Sequence, residues 1–363
     1  MANHQLELPA LYGSSPLGFL AALGTLHLTH HLLDQPPRLS WKGPDAPAVL
    51  HTHQPFTHES LAALLATQLP TQPDKDPLAV APGILDQPRH HKPGSPNDPL
   101  QMPIIEALTQ LRLHAQAERD HGDNRARWFT ALVNTLSITP GKGEKDGAPD
   151  RKATSAVAGT FYTRTTPYFG RSGRMTLPNN WSKAAQHCIK DPAHIHAALT
   201  RWQRIDDYTG ANLDHLSTGD AHTVSHGKAT QRGVPGATWL ALHGFAAFRL
   251  IGNTNRPQAT SWDTAYHAFT WPIWHPPHST TALTALLEHP DIRTQNPDPT
   301  RLHNLGVTAL YTAPRTRLPY GDGPLEPGRR ITPQINRLRN PEPTPTHRTT
   351  PQARCPIRQK CAP

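Results

Sequence analysis

Proline restricts this chain more than any other residue, because it occupies 40 of the 363 positions, about twice its usual share. Its ring fixes φ and removes the amide hydrogen, so proline ends helices and is excluded from the centre of β-sheets. The stretches between prolines alternate between helical and strand-like apolar patterns. The sequence therefore predicts an α+β fold in which mixed helices and short antiparallel strands are joined by proline-rich loops, in a chain long enough to enclose a hydrophobic core.

The clearest helix lies near the N-terminus, in "LYGSSPLGFLAALGTLHL". Ser15 can accept a hydrogen bond as the N-cap, and Pro16 suits the first helical position. Polar residues interrupt the apolar run, which falls short of the ~20 apolar residues that a membrane span needs. A glycine inside a helix costs about 1 kcal/mol relative to alanine, and we interpret Gly18 and Gly24 as positions where another backbone approaches. We expect a buried core helix and no contact with a membrane.

The same arrangement, a glycine turn followed by a proline and an apolar helix, returns in "GVPGATWLALHG" and places a helix near 236–247. Helical patterns also occur in five other segments: 57–68, 102–119, 124–136, 192–205 and 278–292. Strands are predicted in 36–42, 266–274 and 306–318, and a further strand directly after the helix near 236–247. The sequence contains no repeat of fixed period.

The formal charge of +9 is concentrated at the C-terminal end. From Arg329 onward there are eight basic residues and one acid, Glu342, which gives +7; residues 1–328 have 28 basic and 26 acidic residues, which gives +2. We predict an α+β body over 1–331 and a disordered, basic tail rich in proline, threonine and arginine over 332–363. A division of the body into two subdomains would fall near 139–158. The tail either binds a polyanion or is solvated without a partner.

The cysteines indicate no disulfide framework, since two of the three, Cys355 and Cys361, lie in the predicted tail. Cys188 adjoins His187, but neighbouring residues on a helix point in different directions, so we interpret Cys188 as a buried thiol rather than a nucleophile. The N-terminus lacks the basic region and the cleavage site of a signal peptide. We therefore expect a cytoplasmic protein in a reducing environment.

The sequence contains no recognisable catalytic or cofactor motif. The 24 histidines include no zinc-binding spacing, "GRSGR" departs from the nucleophile elbow, and "GKGEKDG" lacks the ending of a P-loop. Four aspartates near glycine turns could hold magnesium or cap turns: Asp206, Asp207, Asp214 and Asp220. We favour capping, and we predict no catalytic residue, no metal and no cofactor, with enzymatic activity left as an open alternative.

Basic and aromatic residues interleave between 142 and 174. Lysine and arginine contact phosphates, and aromatic faces stack on unpaired bases. The pattern therefore predicts a nucleic-acid-binding region with ten candidate residues: Lys142, Lys145, Arg151, Lys152, Tyr162, Arg164, Tyr168, Phe169, Arg171 and Arg174. The equally weighted alternative is a β-hairpin whose aromatics pack inward and whose arginines face solvent.

Several stretches together resemble subunits of type I-G (formerly I-U) CRISPR systems from actinobacteria, in particular their large-subunit-like or helicase–nuclease "extension" proteins. The resembling stretches are "LPALYGSSPLGFLAALGTLHL", "GANLD", "GVPGATWLALHGFAAFRL", "FTWPIW" with a following "LTALLEHP", and "VTALYTAPRTRLPYGDGPLEPGRRI". The resemblance extends over about 1–331, and its motifs are mostly apolar helices and glycine turns. The tail after about 331 departs from the family.

The resemblance implies a non-catalytic subunit of a CRISPR surveillance complex in antiviral defence. Its partners would be other CRISPR-associated subunits together with crRNA or target DNA, and the protein would hold the backbone while base pairing reads the sequence. Two alternatives remain. The first is a metal-dependent nuclease or phosphodiesterase that uses Asp206, Asp207 and nearby histidines. The second is a structural protein–protein adaptor, for which buried aromatics at 161–169 would be the sign.

Overall fold

The helices and strands of the computed structural model confirm the α+β class. The structure describes residues 4–85, 104–121, 125–140, 161–170, 176–217, 231–252, 257–264, 267–294, 297–318 and 321–332. The helices of this part are α1 (Pro16–Leu32), α2 (His58–Ala66), α3 (Ile104–His121), α4 (Arg125–Leu132), α5 (Leu177–Lys190), α6 (Ala193–Thr200), α7 (Pro235–His243), α8 (Thr280–Glu288), α9 (Pro290–Arg293) and α10 (Pro299–Asn304).

The strands are β1 (His4–Tyr12), β2 (Arg38–Trp41), β3 (Pro47–Thr52), β4 (Val133–Pro140), β5 (Phe161–Thr165), β6 (Ile205–Asp206), β7 (Arg232–Gly233), β8 (Leu250–Gly252), β9 (Pro257–Ala259), β10 (Trp262–Asp263), β11 (Ala268–Trp274), β12 (Val307–Leu318), β13 (Gly321–Leu325) and β14 (Arg329–Arg330). Most of the strands are short, but β1, β4 and β11 have 9, 8 and 7 residues and β12 has 12. Short 3-10 turns occupy Gly210–Asn212, His215–Ser217 and Gly244–Ala247.

Proline marks where the helices begin. Within the described residues, α1, α5, α7, α9 and α10 carry proline in their first turn, where the missing amide hydrogen would have had no intrahelical acceptor. Ser15 caps α1 by accepting a hydrogen bond from the Gly18 amide at 3.2 Å, and Thr57 forms a capping box with Ser60 at the start of α2. Both predicted helix starts are therefore confirmed.

The two helices that follow a glycine turn and a proline, α1 and α7, pack directly against each other. Gly24 of α1 faces the Leu240 carbonyl group of α7, and Gly244, which follows α7, faces the Leu20 carbonyl group of α1. A Cβ atom at either glycine would overlap the facing carbonyl oxygen, so only glycine allows the two backbones to come this close. The prediction of a close backbone neighbour is confirmed at Gly24; at Gly18 the neighbour is the preceding Tyr12.

Two antiparallel sheets contact α1. The first is three-stranded, in the order β1-β3-β2, and the second runs β13-β12-β11-β10-β9-β8, with β14 pairing on β12. The longest ladder joins β11 to β12, from Ala268 opposite Pro314 to Ile273 opposite Ala309. The strands predicted over 266–274 and 306–318 are thus confirmed and are partners.

An aromatic cluster joins α1 to both sheets. The ring of Phe19 lies 5.9 Å from that of Trp41, 5.8 Å from that of Trp271 and 6.2 Å from that of Trp274, measured between centroids. The indole nitrogens also find partners, because Trp271 donates to the Gly13 carbonyl at 2.8 Å and Trp274 to the Leu39 carbonyl at 2.8 Å. Burial of α1 is nearly complete from Pro16 to Thr29. None of the helices in the described part combines the length and apolarity that crossing a lipid bilayer requires.

Some predicted boundaries are wrong. The helix predicted over 124–136 ends at Leu132, and the chain continues directly into β4, because "VNTLSIT" is rich in β-branched residues and pairs with β5. The helix predicted to 205 ends at Thr200. The sequence did not predict β1, which pairs with β3, or α5, which is capped by Thr176. Thr332, the first residue of the tail predicted over 332–363, accepts a hydrogen bond from the Leu310 amide at 3.0 Å; the rest of the tail and most of the proposed subdomain break lie outside the described residues.

Two histidines are enclosed where α1 meets α7. His27 and His243 are 3% and 1% exposed, and Nδ1–H of His243 donates to the Trp239 carbonyl at 2.8 Å. Burial lowers the pKa of both imidazoles, that of His243 to about 4, and the nearby Arg127 cation also lowers the pKa of His27. The folded protein therefore holds both histidines neutral at pH values where the unfolded chain would protonate them.

We expect Gly24→Ala to lower the free energy of unfolding by about 1–3 kcal/mol, although alanine is the better helix former, because its methyl group forces α1 away from α7. Urea unfolding measures the change. Gly43→Ala is the matched control, since its Cβ would meet its nearest neighbour, Ala46, at an ordinary 3.8 Å. Equal or greater stability of the Gly24 variant would contradict the packing described for the two helices.

We expect the free energy of unfolding to fall as the pH drops from about 6.5 to about 4, the interval between the unfolded and folded pKa values of His243. In this interval the unfolded state binds a proton that the folded state excludes, which costs on the order of 3 kcal/mol for His243 alone. Urea unfolding across the interval measures the slope. His243→Gln should reduce the slope, and the exposed His53→Gln should not; equal slopes for all three proteins would refute the assignment.

Candidate nucleic-acid interface

The ten residues predicted to bind nucleic acid fall into three groups. Six lie outside the described residues: Lys142, Lys145, Arg151, Lys152, Arg171 and Arg174. Tyr162 and Arg164 belong to β5, and Tyr168 and Phe169 lie in the segment that follows it. The structure therefore describes the residues that flank the basic segments but not the basic residues of those segments.

The prediction that Tyr168 and Phe169 stack on bases is corrected by their position in the core. Each is 1% exposed. The ring of Tyr168 lies 4.7 Å from that of Phe248 and its hydroxyl donates to the Thr260 carbonyl, while burial raises the pKa of the phenol. An aromatic ring enclosed by protein has no free face for a base, so these two residues serve packing, as the hairpin alternative predicted.

The predicted basic loop connects the two strands of an antiparallel hairpin. Pro140 pairs with Phe161, Thr139 with Tyr162 and Asn134 with Arg164, with an irregularity between Asn134 and Ile138. The chain leaves this hairpin at Pro140 and returns at Phe161, so both ends of the segment with Lys142, Lys145, Arg151 and Lys152 are held at one strand pair. This connection of 20 residues is long for a hairpin, a property typical of functional loops.

The hairpin is attached to the edge of the larger sheet. The Asn134 side chain, which is 5% exposed, donates a hydrogen bond to the Ile251 carbonyl of β8 at 3.1 Å. Ile251 in turn pairs with Gln258 of β9. Because Asn134 is also the register partner of Arg164, the strand that carries Arg164 is fixed laterally to the body of the protein.

A buried arginine holds the segment that leads to Arg171. The guanidinium group of Arg315, which is 4% exposed, donates to the Tyr168 carbonyl at 2.6 Å, to the Gly323 carbonyl at 2.9 Å and to the Asn212 carbonyl at 3.2 Å. Burial lowers the pKa of Arg315 to about 10, so the group stays charged at neutral pH. Its carbon Cζ also lies 5.6 Å from the ring centre of Trp262, within the range of a cation–π contact.

Asn212 completes this anchor from the other side. Its side-chain amide donates to the Gly170 carbonyl and to the Asp322 carbonyl, each at 3.2 Å. Ala211 and Asn212 both adopt φ of 57°, an uncommon conformation that turns the chain sharply toward Gly170. Sequence reasoning did not single out Arg315 or Asn212; the available signal was the "GANLD" stretch, which combines a glycine turn with an asparagine that tolerates positive φ.

Two of the four aspartates considered as metal ligands, Asp206 and Asp214, have other partners. The Asp214 carboxylate forms an ion pair with the guanidinium group of Arg204 at 2.6 Å and accepts a hydrogen bond from the Leu216 amide at 3.0 Å. Asp206 forms an ion pair with Arg232 at 2.7 Å. Within the described residues, no group of three or more histidine, cysteine, aspartate or glutamate side chains is arranged to hold a metal ion. Asp220 lies outside those residues. The geometry at Asp214 agrees with the favoured interpretation, in which aspartate caps a turn.

Cys188 is fully buried, and burial raises the pKa of its thiol. A thiol that is enclosed and protonated is a poor nucleophile. The interpretation of Cys188 as a small core residue is therefore confirmed. Comparison with known proteins finds no family model and no curated protein that matches the chain.

We expect Arg315→Met to lower the free energy of unfolding by about 3 kcal/mol, because three buried carbonyl groups lose their donor. We also expect faster amide hydrogen exchange at 166–170 and 210–213, which lose their common anchor. Arg317→Met is the matched control, since it removes an exposed arginine two positions along the same strand. Unchanged exchange at both segments in a folded Arg315 variant would contradict the anchoring role.

Proposed function

We propose that this protein is a non-catalytic subunit of a type I-G CRISPR effector complex in antiviral defence. It would act in the cytoplasm, contact the backbone of crRNA or target DNA, and dock on other CRISPR-associated subunits. The observation that carries the nucleic-acid role is the hairpin β4–β5. Its strand pairing holds together both ends of the segment with Lys142, Lys145, Arg151 and Lys152, and the bond from Asn134 to β8 attaches the start of the hairpin to the body.

A second support is the place of the resembling stretches within the fold. "GSSPLGFLAALG" and "GVPGATWLALHG" supply the helices that meet at Gly24 and Gly244, "FTWPIW" pairs with the strand in "VTALYTAPRTRL", and "GANLD" contacts Arg315. Stretches far apart in sequence thus make the central contacts of one structure. Such an arrangement is expected when a shared pattern reflects a shared fold.

The charge distribution supports docking on protein as well as on nucleic acid. Residues 1–328 carry a formal charge of only +2, from 28 basic and 26 acidic residues. A body this close to neutral has little long-range attraction for a polyanion and depends on local contacts. We therefore expect modest affinity for nucleic acid in the isolated protein and tighter binding within the complex, where base pairing supplies sequence specificity.

A structural adaptor is the second candidate, because Tyr168 and Phe169 are buried and burial of the aromatics in this region favours that function. The metal-dependent nuclease is weaker, since the described parts of the chain hold no cluster of metal-ligating side chains. The adaptor and the nucleic-acid-binding subunit differ in one measurable property, which is binding of the isolated protein to nucleic acid.

The deciding measurement is the affinity of the full-length protein for single- and double-stranded RNA and DNA at two salt concentrations. We expect Arg171→Ala with Arg174→Ala to weaken binding and to reduce the slope of log K against log salt by about 0.7–0.9 for each lost phosphate contact. The matched control replaces three arginines of the tail, Arg348, Arg354 and Arg358, with glutamine.

A loss confined to the tail variant would contradict the proposed interface, because binding would then depend on tail electrostatics alone. Absence of salt-dependent binding in the unmodified protein would leave the adaptor as the function. Cleavage that requires magnesium or manganese and is lost in Asp207→Ala would instead establish the nuclease.

A further inference from the structure

The larger sheet bears a cleft on the face turned away from α1. Phe269 and Trp271 of β11 point to the core, where they lie against Phe19, whereas Ala268 and Thr270 line the cleft. The cleft has a volume of about 600 Å³, within the size range of small-molecule sites. Its floor is formed by β10, β11, β12 and β14, and the segment after α8 forms one wall.

A row of three directly paired residues crosses the floor. Thr270 pairs with Thr312, and Thr312 pairs with Arg329. The Thr270 hydroxyl donates to the Thr312 hydroxyl at 3.0 Å, which leaves the hydroxyl hydrogen of Thr312 free to point at a ligand. Arg329 is exposed and forms no ion pair with any residue that the structure describes. The floor thus offers a hydroxyl donor beside an unneutralised guanidinium group.

The wall brings a second arginine to the same cleft. Arg293 follows the buried Ile292 at the end of α9 and donates to the side-chain oxygen of Gln258 at 3.2 Å. It has no ion pair within the described part of the chain, so most of its five donors remain available. Two arginines that line one cleft from different elements are the arrangement that proteins use to bind oxyanions.

A strained serine also lines the cleft. Ser261 has φ of 62°, which is uncommon for a residue other than glycine. This backbone conformation is strained, and strain of this kind is found most often at functional sites. Ser261 is 5% exposed, and its buried hydroxyl finds no hydrogen-bond partner among the described residues. Buried polar groups are nearly always paired, with protein or with water, so this hydroxyl is a donor that a bound ligand or water would satisfy.

The charge of the cleft selects among oxyanions. Of the described residues that line it, Arg293 and Arg329 are basic and Asp263 is acidic, which gives a net charge of +1. A phosphodiester carries a single negative charge and would be neutralised in this cleft. A phosphate monoester carries more negative charge at neutral pH than a formal charge of +1 neutralises.

The cleft is connected to the hairpin by consecutive contacts. Arg164 is the register partner of Asn134, Asn134 donates to Ile251, Ile251 pairs with Gln258, and Gln258 accepts from Arg293. The first three steps each join neighbouring strands, and the last joins β9 to α9, so consecutive contacts link the hairpin to the wall of the cleft.

We propose that this cleft binds one phosphodiester group of the nucleic-acid strand whose neighbouring nucleotides contact the hairpin. The contacts are made by Arg293, Arg329 and the hydroxyl of Thr312, with Ser261 as a further donor. This inference rests on the proposed function and assigns to it a second contact, distinct from the basic segments at 141–160 and 171–174.

The test measures binding of a short single-stranded RNA to the full-length protein and to variants of the cleft. Arg293→Gln with Arg329→Gln should lower affinity about tenfold and reduce the slope of log K against log salt by about 0.7, the value for one phosphate of a single strand. Thr312→Val keeps the charge and the side-chain shape, so it should lower affinity severalfold with an unchanged salt slope. Arg317→Gln, an exposed arginine of β12 outside the cleft, is the matched control.

A second arm identifies the ligand chemistry by isothermal titration with uridylyl-uridine, which has one phosphodiester, and with uridine monophosphate and inorganic phosphate. We expect the diester to bind best and its binding to be lost in the Arg293 and Arg329 double variant. Preference for the monoester or for inorganic phosphate would overturn the assignment.

The binding measurements distinguish failure of the cleft assignment from failure of the proposed function on which it rests. If the cleft variants bind RNA as Arg317→Gln does while Arg171→Ala with Arg174→Ala binds weakly, the cleft assignment is wrong and the proposed function stands. If the unmodified protein binds neither RNA nor DNA, the proposed function and the cleft assignment both fail.

Discussion

The contact between α1 and α7 is the constraint on which the rest of the structure depends. Gly24 and Gly244 let each helix backbone reach a carbonyl group of the other, and at that distance the flanking apolar side chains of both helices enclose each other almost completely. The same approach brings Phe19 onto the tryptophans of both sheets and encloses His27 and His243 in a setting that holds them neutral. The core, the attachment of the sheets and the expected loss of stability in acid therefore share one geometric cause.

Arg315 has a comparable role at the periphery. A buried cation that is solvated mainly by backbone carbonyls is costly unless most of its donors are used, and Arg315 uses them on three separate segments, at Tyr168, Asn212 and Gly323. No two of these segments are paired as neighbouring strands of a sheet. The guanidinium group therefore provides hydrogen bonds that connect them. This explains how a chain with so many prolines fixes its irregular loops: local side-chain donors take the place of long regular elements.

The basic segments and the cleft fit this design, because each is supported from the body by contacts that do not depend on its own charges. The hairpin β4–β5 is held by Asn134, the approach to Arg171 by Asn212, and the floor of the cleft by the ladder between β11 and β12. Arginines placed on such supports remain available to a ligand, as illustrated by Arg329, which has no ion pair with any described residue. The proposed interface, a few positioned cations on a nearly neutral body, is the kind expected of a protein that binds nucleic acid as one part of a larger assembly.

Local sequence by itself determined the starts of α1 and α2, the close approach at Gly24 and the paired strands β11 and β12, because caps, helix-first prolines and alternating apolar residues act over a few neighbouring positions. It also indicated that residues 142–174 contain a hairpin, as one of two alternatives. Only the tertiary structure decided that Val133 begins a strand, since its partner β5 lies beyond a long connection. The burial of Tyr168, the carbonyl contacts of Arg315 and the meeting of Arg293 with Arg329 in one cleft also depended on residues far apart in the chain. The physical reason is the same in each case: burial, buried hydrogen bonds and clustered charge are properties of surfaces that exist only after distant segments have packed together.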